Sequence, residues 1–265
     1  MLSPGDRFAG YVIEATVGRG GYATVYRAHH AVGSDRAIAL KLLDEQHRHA
    51  SQVARLHREF DFAHQLDHPH IIRTYERGPG WLAMELLSGG SVAVLRTLAD
   101  RLAALSQVAD ALDYIHNRGI VHCDIKPSNI LTHQDFSRNG IAIIDFGVAR
   151  SMTDDIGYRP TRVEASLPYS APELLTGHAP ASATDEYALA CTTVELLTGS
   201  PPFTAKTQFA LINAHLNSPP PRRSRRIDWL PRVFDSILAK AMAKNPADRY
   251  GSCREFISLI TRALR

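Results

Sequence analysis

Short runs of β-branched and aromatic residues, cut by glycines, open the chain: "YVIEATV" (11–17), "TVYRAHH" (24–30) and, after the turn-prone "GSD", "AIALKLL" (37–43). Such runs predict a small antiparallel sheet. From Ala50 to Leu66 the period changes. Val53, Leu56, Phe60 and Ala63 recur at helical spacing with charged residues between them, which predicts one amphipathic helix ending before Pro69 of "DHPH". Two further strands are predicted around "IIRTYE" (71–76) and "WLAMELL" (81–87). Beyond "SGGS" (88–91) the pattern turns helical. Leu102, Leu105, Val108, Ala109, Leu112 and Ile115 form one stripe, and Asp185 to Leu197 is apolar nearly all round, as a buried helix would be. The expectation is an α+β chain, one domain over 1–265 with a small sheet-bearing lobe at 8–87, a mainly helical lobe at 88–264 and a hinge near Ser88.

A chain of 265 residues is long enough for one large core or two lobes. A net charge of +3 is too weak to argue for nucleic acid, and the basic stretch "PPPRRSRR" (219–226) reads as an exposed, solvated loop. Cys123, Cys191 and Cys253 are odd in number and far apart, which fits neither a CxxC metal pattern nor a disulfide framework and favours a reducing, cytoplasmic compartment. No apolar run approaches the ~18 residues a membrane helix needs, and "MLSPGDRFAG" lacks the features of a signal peptide. No membrane contact by the chain itself is expected, although a longer natural protein extending past Arg265 could tether it to the inner membrane.

Chemistry-bearing residues fall in four places. In "GRGGYATV" (18–25) glycines between two strands let backbone N–H groups approach an anion, although many such hairpins are only turns. Lys41 interrupts an apolar strand. It is either a snorkelling edge residue or a buried cation, which would need an anionic partner such as Glu59 on the inner face of the helix. In "HCDIKPSNIL" (122–131), Asp124 and Asn129 bracket Lys126 in a loop that Pro127 keeps from being helical; Asp145 follows in "IAIIDFGVA", after a hairpin-like turn at "SRNG". Asn129 and Asp145 are oxygen donors suited to a hard Mg²⁺ ion, leaving Asp124 free to accept a hydroxyl proton. Singly, each residue has a plain reading, since Asp and Asn in loops usually make turns. Their order and spacing together fit one template.

That combination resembles the catalytic domain of eukaryotic-type (Hanks-type) Ser/Thr protein kinases, closest in style to bacterial, actinobacterial receptor-type members, from about Phe8 to Leu264. The resemblance implies a bilobal fold with ATP beneath the glycine-rich loop. Gly18 and Gly20 would cover the phosphates, Lys41 paired with Glu59 would hold them, and Val17, Val25, Ala39 and Leu131 would sandwich the base. Met84 would be the gatekeeper, with the backbone of Glu85 and Leu87 bonding adenine. Asp124 would accept the substrate proton, Lys126 would neutralise the moving phosphoryl group, Ser166 would contact both, and Asn129 and Asp145 would hold Mg²⁺ or Mn²⁺. Ala171–Glu173 ("APE"), Arg249 and Asp185 take scaffold roles by the same resemblance. Implied partners are protein substrates with Ser or Thr acceptors, including the chain itself, and the resemblance is compatible with a homodimer.

The sequence departs from that pattern where Cys123 replaces an arginine that would pair with an activation-segment phosphate. Activity independent of such phosphorylation is therefore expected, although Thr161, between Arg159 and Arg162, is a candidate phosphosite along with Ser151, Thr153 and Ser166. Ala23, Ala165 and Ala190 replace glycines, which fits low catalytic efficiency. The alternatives are a weakly active or inactive pseudokinase that senses nucleotide or binds partners, and a small-molecule phosphotransferase, which the APE segment and Arg249 disfavour. A redox role for Cys123 needs an exposed thiolate.

Overall fold

The computed structural model describes residues 1–32, 36–152 and 166–265. Thr153, Arg159, Thr161, Arg162 and Ala165 lie outside the described residues. The N-terminal part carries a six-stranded antiparallel sheet of β1 (Arg7–Phe8), β2 (Tyr11–Arg19), β3 (Ala23–His30), β4 (Ile38–Leu43), β5 (Thr74–Gly78) and β6 (Trp81–Glu85), in the order β1-β2-β3-β4-β6-β5. Strand alternation explains its two faces. On β4, Ile38, Leu40 and Leu42 join Tyr11, Ile13, Tyr26 and Ala28 in an outer cluster, while Ala39 and Leu43 face the main core with Leu56 of helix α1 (Ala50–His64). Lys41 belongs to that second face, so the strand carries its one cation inward, toward the helix.

The register turns alternation into a site. Gly18 pairs with Val25, Val25 with Lys41 and Lys41 with Leu82, which makes one row across four strands. Gly18 leaves that row without a side chain at its end, and Val17 falls at a pairing irregularity between Thr16 and Gly18, half-exposed.

The C-terminal part is mainly helical: α2 (Leu98–His116), α3 (Phe136–Asn139), α4 (Pro172–Leu175), α5 (Ser182–Thr198), α6 (Gln208–Asn217), α7 (Arg232–Ala241) and α8 (Cys253–Ala263). Thr97 caps α2 by accepting the Asp100 N–H at 3.0 Å. The helix α5 is buried on nearly every side, including Asp185, Glu186, Thr192 and Thr193. Two short pairs carry the loops between the helices: β7 (Ile120–Val121) with β10 (Arg150–Ser151), and β8 (Ile130–Thr132) with β9 (Ile141–Ile143).

Three expected elements differ. The strand expected at 71–76 begins only at Thr74, because Ile71 and Ile72 are used elsewhere: Ile72 N–H donates to Ile143 O at 3.0 Å and both side chains join the main core. The helix expected to reach Leu66 ends at His64, before the constraint from Pro69 applies. "SRNG" lies, as expected, in the loop that joins the antiparallel pair β8 and β9, but that loop holds a short helix. Asp135 accepts the Arg138 N–H and starts the short α3, and Gly140 ends it at φ +68°, a left-handed value that favours glycine.

Candidate active site

Helix α1 delivers three side chains to one place. Glu59 is buried, and Lys41 Nζ donates to both of its carboxylate oxygens at 2.8 and 2.6 Å. Lys41 Nζ also lies 4.0 Å from Asp145 Oδ1. Burial alone would lower the Lys41 pKa, but the carboxylates of Asp145 and Glu59 outweigh it and raise it, so the ammonium stays charged. One turn before Glu59, Arg55 lies 3.9 Å from Asp145 Oδ2, and Arg58 donates to Gly147 O at 3.3 Å. Burial would push the Asp145 carboxyl up, yet Lys41 and Arg55 together pull it down to about 2. Asp145 also sits at φ +64°, its Oδ1 accepting the Gly147 N–H at 3.3 Å. A Cβ on Gly147 would come within 2.9 Å of Arg55 Cγ and Nε, so glycine there permits the close approach of helix and loop.

These groups line a cleft with Gly20, Tyr22, Val25 and Gln52, so the glycine turn, Lys41, Glu59 and Asp145 share one opening. Ala39 and Met84 are register partners on β4 and β6, both buried. The Glu85 N–H is already donated to Arg73 O at 2.8 Å, so a base at this edge cannot use the Glu85 amide as a donor. Leu87 follows, buried, and Leu131 on β8 bridges to Ser91.

The loop at 122–131 is a separate hydrogen-bonded array. Pro127 opens a 3-10 turn over Pro127–Asn129, the position where its missing N–H costs nothing. Lys126 Nζ donates to Asp124 Oδ2 at 2.7 Å and to Ser166 Oγ at 2.6 Å. Asn129 Nδ2 donates to Asp124 Oδ2 and to Asp124 O, both at 2.9 Å. Among the described residues Asp124 Oδ1 takes only the Ser166 N–H, at a long 3.3 Å, and is the oxygen with capacity for another donor. With its amide nitrogen spent, Asn129 has its carbonyl oxygen left for a ligand. That oxygen and the ionised Asp145 form a hard donor set that fits a divalent cation such as Mg²⁺.

Beneath the loop, the fully buried Asp185 of α5 accepts three donors: His122 N–H on Oδ2 at 2.8 Å, Cys123 N–H on Oδ1 at 2.8 Å, and His116 Nε2–H on Oδ2 at 2.9 Å. It thereby holds Cys123 at φ +66°, a conformation costing a non-glycine residue about 1–3 kcal/mol. His122 Nε2 faces Ile144 O at 3.1 Å and donates to it, so Nδ1 is free to accept the Asp124 N–H at 3.3 Å. The Cys123 side chain is buried between Val121 and Val148 and donates to Val121 O. Farther out, Arg249 forks onto Glu173 with two bonds of 2.8 Å, and Thr184 Oγ1 donates to the same carboxylate at 2.9 Å.

Sequence reasoning missed Arg55 and gave His122 no role. Arg55 had a readable signal, since it lies four residues before Glu59 and so on the same helix face. The tautomer of His122 had none, because its partners come from across the loop.

The protein kinase domain family matches residues 11–259 of the chain. The chain belongs to the protein kinase family. Among curated relatives, the kinase domain is 39% identical over 276 residues to the serine/threonine-protein kinase PknJ of Mycobacterium tuberculosis, covering 99% of this chain and 47% of that protein. It is 37% identical over 277 residues to PknF of the same species, covering 96% of this chain and 56% of that protein. The chain thus spans about half the length of the curated relatives it matches. Among solved structures, the M. tuberculosis PknI kinase domain superposes with a TM-score of 0.75 at 30% identity, covering 99% of this chain and all of that one. The chain therefore has the kinase fold, a sheet-bearing N-lobe and a helical C-lobe, and shares it with a solved relative.

Proposed function

We propose that the chain transfers the γ-phosphate of ATP to Ser or Thr hydroxyls of proteins, with a divalent ion held by Asn129 and Asp145. The observation that carries this reading is the state of Asp124: one carboxylate oxygen is fixed by Lys126 and Asn129, while the other remains able to accept a hydroxyl proton. A general base needs that geometry before any shift in its pKa matters. Lys126 bridges Asp124 and Ser166 and lies where charge moves during transfer; Lys41, oriented by Glu59, supplies the cation for the nucleotide phosphates. The metal ion would neutralise phosphate charge when bound. The relatives' names, serine/threonine-protein kinases, support a hydroxyl acceptor.

Val17, Gly18, Gly20, Val25, Ala39, Met84, Glu85 through its carbonyl, Leu87 and Leu131 complete the nucleotide site in this reading, with the two lobes meeting near Ser88. Cys123 offers no cation to an activation-segment phosphate, so activity does not depend on that modification. Wild-type rates in Thr161→Ala would support this independence, and a loss of more than tenfold would overturn it.

The test follows phosphate from γ-labelled ATP with Mg²⁺ or Mn²⁺ into the chain and a basic protein acceptor, with Asp124→Asn and Asp145→Asn alongside. Transfer abolished by both substitutions establishes the kinase. Nucleotide binding without transfer establishes the pseudokinase instead, and transfer only to small-molecule acceptors points to the third reading.

A further inference from the structure

On α2, Asp113 and His116 stand three residues apart and so share one helix face. Facing them is Cys253, the first residue of α8. Among the described residues this is the one group of His, Cys and carboxylate ligands gathered closely enough to hold a metal ion, with the three donor atoms within 4.8 Å of one another. All three line a cleft that also takes in Glu186, Ser252 and Arg254. The guanidinium of Arg254 is engaged by Asp110, so that cation is already partnered.

The orientation of each ligand is fixed by a further contact. Asp113 Oδ1 accepts the Cys253 N–H at 2.9 Å and Oδ2 the Arg254 N–H at 3.1 Å, which locks the carboxylate against the start of α8, and the same carboxylate holds the Cys253 thiol by a side-chain hydrogen bond that metal binding would replace. His116 donates Nε2–H to the buried Asp185 carboxylate at 2.9 Å, which leaves Nδ1 as the ring nitrogen available to a ligand. A histidine whose outer N–H is held by a carboxylate is the usual arrangement of a metal-ligating imidazole, since the carboxylate fixes the tautomer and raises the basicity of the ligating nitrogen. A thiolate, an imidazole and a carboxylate together suit a borderline-soft divalent ion.

We infer that Asp113, His116 and Cys253 form a binding site for Zn²⁺ or a similar divalent transition metal, distinct from the Asn129–Asp145 pair, with a fourth position open to the cleft. Binding displaces the Cys253 thiol proton to solvent as the S–metal bond forms, with no change in oxidation state. The thiolate and Asp113 then balance the charge of the ion. Through His116 the site is one hydrogen bond from Asp185, the residue that holds the His122 and Cys123 amides.

The test uses the whole 265-residue chain, stripped with chelator and free of nucleotide, in an Asp145→Asn background that weakens the cleft as a competing site. Zn²⁺ is titrated against a chromophoric chelator, and Co²⁺ is added separately to read a thiolate-to-metal charge-transfer band. One equivalent should bind, the thermal midpoint should rise because the ion binds the folded state, and the band should appear. Cys253→Ser should abolish the band and weaken Zn²⁺ binding about 100-fold, whereas Cys191→Ala should change neither. If Cys253→Ser does not fold, Asp113→Asn, which keeps a carbonyl acceptor for one of the two α8 amides, should still weaken binding at least tenfold. Absence of stoichiometric binding, or an affinity unmoved by these ligand substitutions, would overturn the site.

Discussion

The Lys41–Asp145 cleft and the Asp124 loop are built on different physics. In the cleft, Lys41, Glu59, Asp145 and Arg55 come from three separate elements and are joined by side-chain charge alone. In the loop, Asp124, Lys126 and Asn129 lie within six consecutive residues, and hydrogen bonds to backbone and to Asp185 fix their positions. The cleft cluster can be dismantled by moving one helix; the loop is preorganised wherever α5 is folded. Charge held across element boundaries should therefore govern nucleotide affinity, while the loop should govern the rate of the chemical step.

The sharpest separation comes from Asp124→Asn, which should lower transfer by about 10²–10⁴-fold while leaving nucleotide affinity unchanged. Initial rates beside a calorimetric binding titration would show it, and a parallel loss of binding would collapse the distinction between the regions. Next in size is Glu173→Gln, which leaves the fully buried Arg249 guanidinium without its counter-charge. Denaturant unfolding should show a loss of about 3–5 kcal/mol.

Asp185→Asn should cost about 1–3 kcal/mol, because an amide cannot accept from all three donors, and one of them is left unsatisfied in the interior. Its signature is a lower kcat at nearly constant nucleotide KM. Glu59→Gln should do the reverse, weakening nucleotide binding about tenfold, or ~1.4 kcal/mol, with the loop intact. If both substitutions moved the same kinetic parameter, the two regions would be one unit.

The smallest effect concerns pH. Burial, with Lys244 nearby, lowers the pKa of His215 to about 4, and its Nδ1 lies 2.9 Å from the Tyr187 hydroxyl. Unfolded histidine titrates near ~6.5. The unfolded chain therefore takes up the proton first, and this residue's contribution to stability, complete above that pH, declines as pH falls toward 4. His215→Gln should flatten that part of the stability profile without altering either site, as thermal melts across pH 4–7 would record.

Much of this was legible before any coordinates. The period of "AIALKLL" located a strand with Lys41 on the face of Ala39, and the stripe from Leu102 to Ile115 lies within a helix that runs from Leu98 to His116. What was illegible depended on competition between partners. Ile71 and Ile72 have every propensity for the sheet, yet they bond to β9 and start the N-lobe strand late. The Glu85 N–H is taken by Arg73 O, a partner twelve residues earlier that no local pattern names.

The sequence by itself determined which groups are present and which local backbone carries them, because turn chemistry and hydrophobic period act over a few residues. Gly18, Pro127, Asn129 and the "DFG" stretch are of that kind. Only the tertiary structure decided which charges meet. Arg55 reaches Asp145 through the packing of α1 on the loop, Asp185 collects donors from more than sixty residues away, and Asp113 meets Cys253 across 140 positions. Such contacts form only after chain entropy has been overcome by burial of the core, so no local pattern records them.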